Sequence, residues 1–471
     1  MTKRTKIVAT LGPASNTPEK IAELIKAGAN VFRLNFSHGT HETHAALIRA
    51  IREASKATGE YVGILGDLCG PKIRVGVFPK GPVTLKVGQK FILSEDATVP
   101  GDETRVGTSY PYLVKDVVIG GTVLLDDGNI ALKAEEKGNN WVGFTVTDGG
   151  ILKDKKGMNL PNMQLSVETI TEKDKADLAF IIQQDLDFVA LSFVRRAKDL
   201  LDLRALIGEA PLRVVAKIEM PEAVKNLEGI LDVTDAVMIA RGDLGVEVPI
   251  EQVPGIQKHI LERCYRRGML AITATQMLES MMCNQRPTRA ETTDVFNAIL
   301  DGSDAVMLSG ETASGENPLD AVKMMAAIAR EAEALLAKSQ SSTHILPEVT
   351  RGIEDTMAHA ACEASEDVGA RAIVAFTHSG NTARNISKYH PKIPVVALTP
   401  REAACRRLAL SWGVTSLLTP DLRDTDILFQ VAEDTLKKAG MAKPGDVLVI
   451  VAGVPLGVKG NTNMIKMQLI S

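Results

Sequence analysis

The feature that most limits what this chain can become is an alternation. From the N-terminus to about residue 337, short β-branched or apolar runs are followed, again and again, by longer amphipathic stretches. Eight such runs stand out, at 7–11, 31–35, 62–67, 188–192, 214–218, 236–240, 270–275 and 305–309. Strands that alternate with helices must lie parallel, and eight βα units predict an α/β fold of the (β/α)8 TIM barrel kind. An open doubly wound sheet fits the same alternation, because strand count alone does not prove closure. Helix starts support the segmentation: Thr17 before Pro18, and Thr171 before Glu172 and Asp174, read as N-caps followed by first-turn residues.

The pattern breaks twice. Residues 71–168 lose helical periodicity and carry short strands, at 83–87, 91–94, 123–125 and 141–146, punctuated by glycine turns. This predicts an inserted β-barrel domain, placed in a loop at the barrel mouth where it can act as a lid. The second break is a serine-rich polar stretch at 338–343, suited to a linker. Strands expected at 372–377, 395–398, 414–418, 447–452 and 464–469 then alternate with helices as a smaller α/β sandwich. The expected division is a barrel domain from 1–70 and 169–337, a lid from 71–168 and a C-terminal regulatory domain from 338–471.

Composition removes several function classes. The formal net charge is −4 and aromatics make up 4% of the chain, so neither the positive field nor the stacking surface of a nucleic-acid binder is present. Apolar runs stop at six residues, as in 447–452, against the roughly 20 that span a bilayer. Cys69, Cys264, Cys283, Cys362 and Cys405 show no Cys-x-x-Cys pair, which fits a reducing, cytoplasmic setting.

In a βα barrel the carboxyl ends of the strands carry the chemistry. Here they are rich in charge: Arg33, Asn35 and Ser37 after the second strand, Asp67 after the third, Lys217 and Glu219 after the fifth, Arg241 and Asp243 after the sixth. Thr275 follows the seventh, and Ser309 and Glu311 the eighth. Alternation along an extended strand puts Lys217 with Glu219, Arg33 with Asn35 and Ser37, and Arg241 with Asp243 on common faces. Glu219 and Asp243 supply two hard carboxylates of the kind Mg²⁺ takes while leaving its other positions to substrate and water. Lys217 beside them offers a compact positive charge for a transferring phosphoryl group or a developing enolate. Gly242, Asp243, Leu244 and Gly245 lead into an expected helical stretch near Ile250, where free backbone N–H groups could hold a substrate carboxylate.

The chain resembles the pyruvate kinase family along its whole length. The resemblance is carried by Thr10-Leu11-Gly12-Pro13-Ala14-Ser15, Arg33 to His38, Gly70-Pro71-Lys72-Ile73-Arg74, Lys156-Gly157-Met158-Asn159-Leu160-Pro161 and Ala216-Lys217-Ile218-Glu219. It continues through Thr273 to Met281, Pro287-Thr288-Arg289-Ala290-Glu291 and Met307 to Thr312. It implies phosphoryl transfer between phosphoenolpyruvate and ADP, with Mg²⁺ or Mn²⁺ on Glu219 and Asp243, usually in a homotetramer. Arg33 and Lys217 would contact the phosphoryl group. Gly242, Asp243 and Thr275 would hold the pyruvate carboxylate, and Thr275, Ser309 and Glu311 would support a proton-delivering water network. Asn35, Phe36, Ser37, His38, Arg74 and Lys156 would meet the nucleotide.

One departure stands out. Family members that need K⁺ resemble Gly-Pro-Glu-Ile-Arg where Lys72 stands here, and Leu68 replaces a threonine. The family's monovalent-cation site would comprise Asn35, Ser37, Asp67 and Leu68, with the Lys72 ammonium expected to serve in place of K⁺. In the C-terminal domain, Thr377, Ser379, Gly380, Asn381 and Thr382 resemble the family's effector loop. They predict allosteric activation by a phosphorylated metabolite, with 453–461 as the facing loop. Two rivals compete: a lyase or aldolase on a related barrel, which would need neither lid nor Arg74 nor Lys156, and a catalytically silent metabolite sensor.

Overall fold

A computed structural model describes residues 3–338, 352–422, 424–456 and 461–471. Eight parallel strands close into a barrel: β1 (Lys6–Thr10), β2 (Val31–Asn35), β3 (Gly63–Asp67), β4 (Phe188–Leu191), β5 (Arg213–Ile218), β6 (Ala236–Ala240), β7 (Leu270–Ala274) and β8 (Ala305–Leu308). Closure comes from β1, which pairs with β8 on one side and β2 on the other. The open doubly wound sheet is thereby excluded. Four of the strands, β1, β4, β7 and β8, end one residue short of the expected limit, and the other four end where expected.

The two-residue period of a strand explains where the chemistry goes. Ile7, Ala9, Phe32, Leu34, Val214 and Ala216 pack outward among the helices. Their neighbours Val8, Val31, Leu65, Ala190, Val215, Met238, Ile272 and Met307 form a separate cluster, the barrel interior. Continuing that inward parity to the carboxyl ends selects Arg33, Asp67, Ser192, Lys217, Glu219 and Ser309. The helices that build the outer ring start as their caps require: the Thr17 hydroxyl accepts from the Lys20 N–H, and that of Thr171 from the Asp174 N–H at 3.1 Å.

Between β3 and β4 the chain builds an all-β insertion. A six-stranded sheet runs in the order Met158–Asn159, Thr122–Leu125, Ile130–Lys137, Trp141–Asp148, Lys90–Ser94, Arg105–Gly107, and Val83–Leu85 pairs with Gly150–Leu152. Its own apolar core includes Phe91, Tyr110 and Phe144. The chain returns to the barrel through a segment gripped by Arg195, which donates to the Leu165 and Val167 carbonyls and to the Thr169 hydroxyl.

The C-terminal unit is a five-stranded sheet of β9 (Ala372–Phe376), β10 (Val395–Thr399), β11 (Val414–Leu418), β12 (Val447–Gly453) and β13 (Thr462–Leu469), ordered β11-β10-β9-β12-β13 with only β13 antiparallel. It seats on the amino-terminal end of the barrel. Arg406 binds Asp187 at 2.8 Å and Asp185 at 2.7 Å, and Lys6 donates to the Val414 carbonyl. Ala409 and Leu410 join the barrel-interior cluster itself, closing its foot. The serine-rich linker at 339–343 lies outside the described residues.

Candidate active site

At the carboxyl end of the barrel four charges share one cluster, three of them buried and Arg33 half-buried. Arg33 Nε lies 2.6 Å from Asp67 Oδ2, and its Nη1 reaches the Thr10 hydroxyl at 3.2 Å. The Lys217 ammonium stands 3.4 Å from Asp67 Oδ1 and 3.4 Å from Glu219 Oε2, and donates to Ser192 Oγ at 2.6 Å. Ser192 passes its own proton to the Leu68 carbonyl at 2.8 Å. Glu219 Oε1 accepts from the Phe193 N–H at 2.6 Å. Thr10 and Ser192 were not singled out from sequence, although both occupy inward positions at strand ends and the same parity would have found them.

Burial disfavours the charges of Asp67, Lys217 and Glu219, so their partners decide which survive. For Lys217, burial is outweighed by Asp67, Glu219 and Asp243, and the ammonium pKa is raised. For Asp67, Lys217 and Arg33 overcome burial and hold its carboxyl below the ordinary range. Glu219 behaves differently: burial, with Asp243 and Asp67 adding to it, pushes its pKa up to about 7 against the pull of Lys217. Its Oε2 is buried without a hydrogen-bond donor. An orphaned carboxylate oxygen next to the charge of Asp243, at the cleft mouth, fits a hard divalent ion. Among the described residues no group of three or more His, Cys, Asp or Glu is placed to hold a metal ion by itself.

One expectation needs correction. Arg241 and Asp243 do not share a strand face, because β6 stops at Ala240 and Arg241–Glu247 is a helix. Arg241 turns away to Asp294 at 2.7 Å and to the Thr275 carbonyl at 2.7 Å, while Asp243, in the helix's first turn, acts on Lys217 and Glu219. Thr275 and Gln276 both adopt left-handed backbone, at φ 66° and 53°. That bend lets Thr275 Oγ1 accept from the Gly242 N–H at 2.7 Å while donating to the Ala274 carbonyl. A Cβ on Gly242 would sit 3.4 Å from that hydroxyl, so glycine keeps the approach open. Glu311 accepts from the N–H groups of Ser309 and Leu278, leaving the buried Ser309 hydroxyl without a partner.

The remaining positions are less assembled. Asn35 Oδ1 accepts from the Ser37 N–H at 3.1 Å, and Leu68 is buried. The Phe36 ring is buried and stacks on His44, its N–H donates to the Asp67 carbonyl, and Lys173 donates to its carbonyl. His38 is exposed and its carbonyl contacts the His44 ring nitrogen. Lys72 is exposed, and among the described residues no ion pair holds its ammonium. Arg74 donates to the Lys155 carbonyl, and Lys156 pairs with Asp126 at 2.6 Å. Both therefore engage partners inside the insertion, not the four-charge cluster. A contact missed from sequence ties insertion to barrel: Asn159 donates to Glu247 at 2.7 Å.

In the C-terminal unit, four of the five expected effector residues, Thr377, Ser379, Asn381 and Thr382, line a small cavity of about 80 Å³, and Gly380 does not. Two N–H groups and one hydroxyl at the helix start already have partners. Gly380 N donates to the Thr377 hydroxyl at 3.0 Å, Asn381 N to Ser379, and Thr382 pairs with Thr462 at 2.9 Å. Asn381 also receives Arg213 at 3.4 Å. Part of the facing loop, 457–460, lies outside the described residues.

Comparison with known proteins bears on the whole arrangement. The family model for the pyruvate kinase barrel domain matches residues 2–322, and that for the pyruvate kinase alpha/beta domain matches 355–468. The pyruvate kinase of Geobacillus stearothermophilus is 46% identical, covering 100% of this chain and 81% of its own length. That of Corynebacterium glutamicum is 45% identical, covering 100% and 98%. A crystal structure of a pyruvate kinase from Cryptosporidium parvum superposes with a TM-score of 0.93 at 37% identity, over 100% of this chain and 96% of that one. With its barrel, its C-terminal unit and its full length all matched, the chain belongs to the pyruvate kinase family.

Proposed function

We propose that this chain transfers the phosphoryl group of phosphoenolpyruvate to ADP, giving pyruvate and ATP, with Lys217 at the centre of the reaction. The supporting observation is the cluster of Arg33, Asp67, Lys217 and Glu219, which fixes two cations and an unsatisfied carboxylate around one point. The bond between phosphorus and the enol oxygen breaks as one forms to a terminal oxygen of ADP, so negative charge spreads over the transferring oxygens. Lys217 and Arg33, locked by Asp67, meet that charge without having to reorganise. Mg²⁺ or Mn²⁺ on Glu219 and Asp243 would draw off further charge. The substrate carboxylate is assigned to the N–H groups of Gly242 and Asp243 and to the Thr275 hydroxyl, with the Gly242 N–H and the Thr275 hydroxyl first giving up their present bonds to Thr275 Oγ1 and the Ala274 carbonyl. The enolate left behind takes a proton at carbon, and the unpartnered Ser309 hydroxyl, with Glu311 behind it and Thr275 opposite, suits a water chain that delivers it, since a threonine hydroxyl alone is too weak an acid.

Nucleotide binding is assigned to the 35–38 backbone with Arg74 and Lys156, the latter two moving from their present partners as the insertion closes. Lys72 is assigned the role of K⁺ near Asn35, Ser37, Asp67 and Leu68, giving activity without added K⁺. Thr377, Ser379, Gly380, Asn381 and Thr382 are assigned to a phosphorylated activator, and the working assembly is taken to be a homotetramer in the cytoplasm. No helix among the described residues is long and apolar enough to cross a membrane.

An assay coupling pyruvate formation to lactate dehydrogenase, with phosphoenolpyruvate, ADP and Mg²⁺, tests the reaction. Pyruvate release that needs ADP is expected, whereas ADP-independent turnover would favour the lyase and no turnover the silent sensor. Repeating it with and without K⁺ at constant ionic strength tests Lys72.

A further inference from the structure

The turn that follows β4, Ser192 to Arg195, touches both places where the chain crosses between barrel and insertion, and also two of the charges at the centre of the barrel site. On the outgoing side, Ser192 Oγ donates to the Leu68 carbonyl at 2.8 Å while accepting from the Lys217 ammonium at 2.6 Å. Phe193 packs on the same crossing, where a Cβ on Gly70 would meet its ring at 2.7 Å. The Phe193 N–H donates to Glu219 Oε1 at 2.6 Å, and Phe193 itself takes left-handed backbone at φ 56°, a costly geometry that its surroundings must hold in place. On the returning side, Arg195 donates Nη1 to the Leu165 carbonyl at 2.9 Å, and Nη2 to the Val167 carbonyl at 3.0 Å and the Thr169 hydroxyl at 2.9 Å. Its main chain is pinned as well: the N–H donates to Asp199 at 2.9 Å and the carbonyl accepts from Asn226 at 2.9 Å. An open groove of about 690 Å³ borders Arg195 and the returning segment, leaving that segment room to shift.

We infer that Arg195 is a positioning residue: through the Ser192–Arg195 turn it makes the seating of the insertion set the placement of Glu219 and Lys217. The inference rests on the phosphoryl transfer proposed above, and adds to it a residue that stands behind the reacting groups rather than among them. A guanidinium suits the task, because its planar fork carries several donors in fixed directions and bridges three acceptors at once. An ammonium on a flexible stem holds no such geometry. When the returning segment shifts, Arg195 shifts with it, and so does the Phe193 N–H two residues away. That N–H orients the Glu219 carboxylate, whose other oxygen has no hydrogen-bond partner to resist the turn. Lys217 is tied to the outgoing crossing through Ser192. Groups that orient a metal-binding carboxylate change metal affinity or activity by roughly ten- to a hundredfold when they are lost.

The test uses the full-length protein and four variants: Arg195→Met, Arg195→Lys, Thr169→Val and Arg196→Met. The last is the control, since Arg196 is exposed and its guanidinium faces Asp199 at 3.8 Å. Thr169→Val removes one of the three bonds and decides the matter should Arg195→Met fail to fold. Two quantities are measured: Mn²⁺ binding to the substrate-free protein, from the spin-resonance signal of the free ion, and kcat against the KM for phosphoenolpyruvate in the coupled assay. Arg195→Met should weaken Mn²⁺ roughly tenfold and lower kcat about as much, with the KM changing less than about threefold. Arg195→Lys should fall between it and the unaltered protein, Thr169→Val should weaken Mn²⁺ roughly two- to threefold, and Arg196→Met should change neither quantity. Mn²⁺ binding unchanged by both Arg195→Lys and Thr169→Val overturns the inference even where kcat falls, because Arg195 is then a structural clasp only. An Arg196→Met effect equal to that of Arg195→Met overturns it too, since charge alone would then account for both. The Mn²⁺ measurement involves no turnover. The expected Mn²⁺ pattern in a chain that releases no ADP-dependent pyruvate would therefore refute the reaction and leave the role of Arg195 standing.

Discussion

The carboxyl end of the barrel and the Thr377–Thr382 turn are both expected to hold phosphoryl groups, yet they are made of different materials. The barrel site uses full charges, almost all buried, each fixed by two or more partners: Asp67 is held by Arg33 and Lys217, and Lys217 by Asp67, Glu219 and Ser192. The turn uses hydroxyls that satisfy one another, Thr377 with the Gly380 N–H and Thr382 with Thr462, around little open space. Stabilising a transition state calls for dipoles and charges that are already in place before reaction. Sensing a metabolite calls for groups that can exchange an internal partner for the ligand at small net cost. The difference is one between a site that must not move and a site that must.

That contrast can be broken most decisively at Lys217. Lys217→Met should lower kcat roughly 10³-fold with a much smaller change in the KM for phosphoenolpyruvate, and an equal loss in both would mean the ammonium only binds substrate. Glu219→Gln should reduce activity roughly 10²-fold, in part recoverable at high Mg²⁺, which a Mg²⁺ titration of the coupled assay will measure. Lys72→Glu should make the enzyme dependent on K⁺, with about tenfold activation by K⁺ that the unaltered chain lacks. Thr382→Val should leave basal kcat in place while shifting the activator's half-saturation by a few-fold, about the worth of one neutral hydrogen bond. If instead basal activity falls as sharply as with Lys217→Met, the turn is part of the rigid machinery and the contrast fails.

A final and smaller test concerns Glu247, whose carboxyl is raised to about 7, mainly by burial. A raised folded pKa gives stability that is present below the unfolded value of 4.5 and lost as pH rises through about 7. Glu247→Gln removes that loss. Its thermal unfolding midpoint should therefore gain on the unaltered protein between pH 5 and pH 8, by a shift equivalent to about 2–3 kcal/mol. A constant difference across that range would show that the carboxyl stays ionised.

Much of the barrel was legible because its information is local. Period-two alternation and N-caps such as Thr171 need no knowledge of distant chain, and they locate strands to within a residue or two. The same parity points to Lys217 and Glu219. It misled at Asp243, since nothing in Arg241-Gly242-Asp243 announces that the backbone has already turned helical and sent neighbouring side chains to opposite sides. Asp67 read as a monovalent-cation ligand, and its bond to Arg33 at 2.6 Å emerges only when β2 and β3 are laid side by side. Glu247 and its contact with Asn159 lie 88 residues apart, a pairing that only the closed fold creates.

Ala409 and Leu410 enter the barrel's own interior cluster from the C-terminal unit. In evolutionary terms, that limits how freely the two parts can be exchanged. A recombined gene that swapped the C-terminal unit at the serine-rich linker would divide the chain at a tidy boundary and still leave the barrel without its stopper, unless the incoming segment brought an apolar pair of matching size.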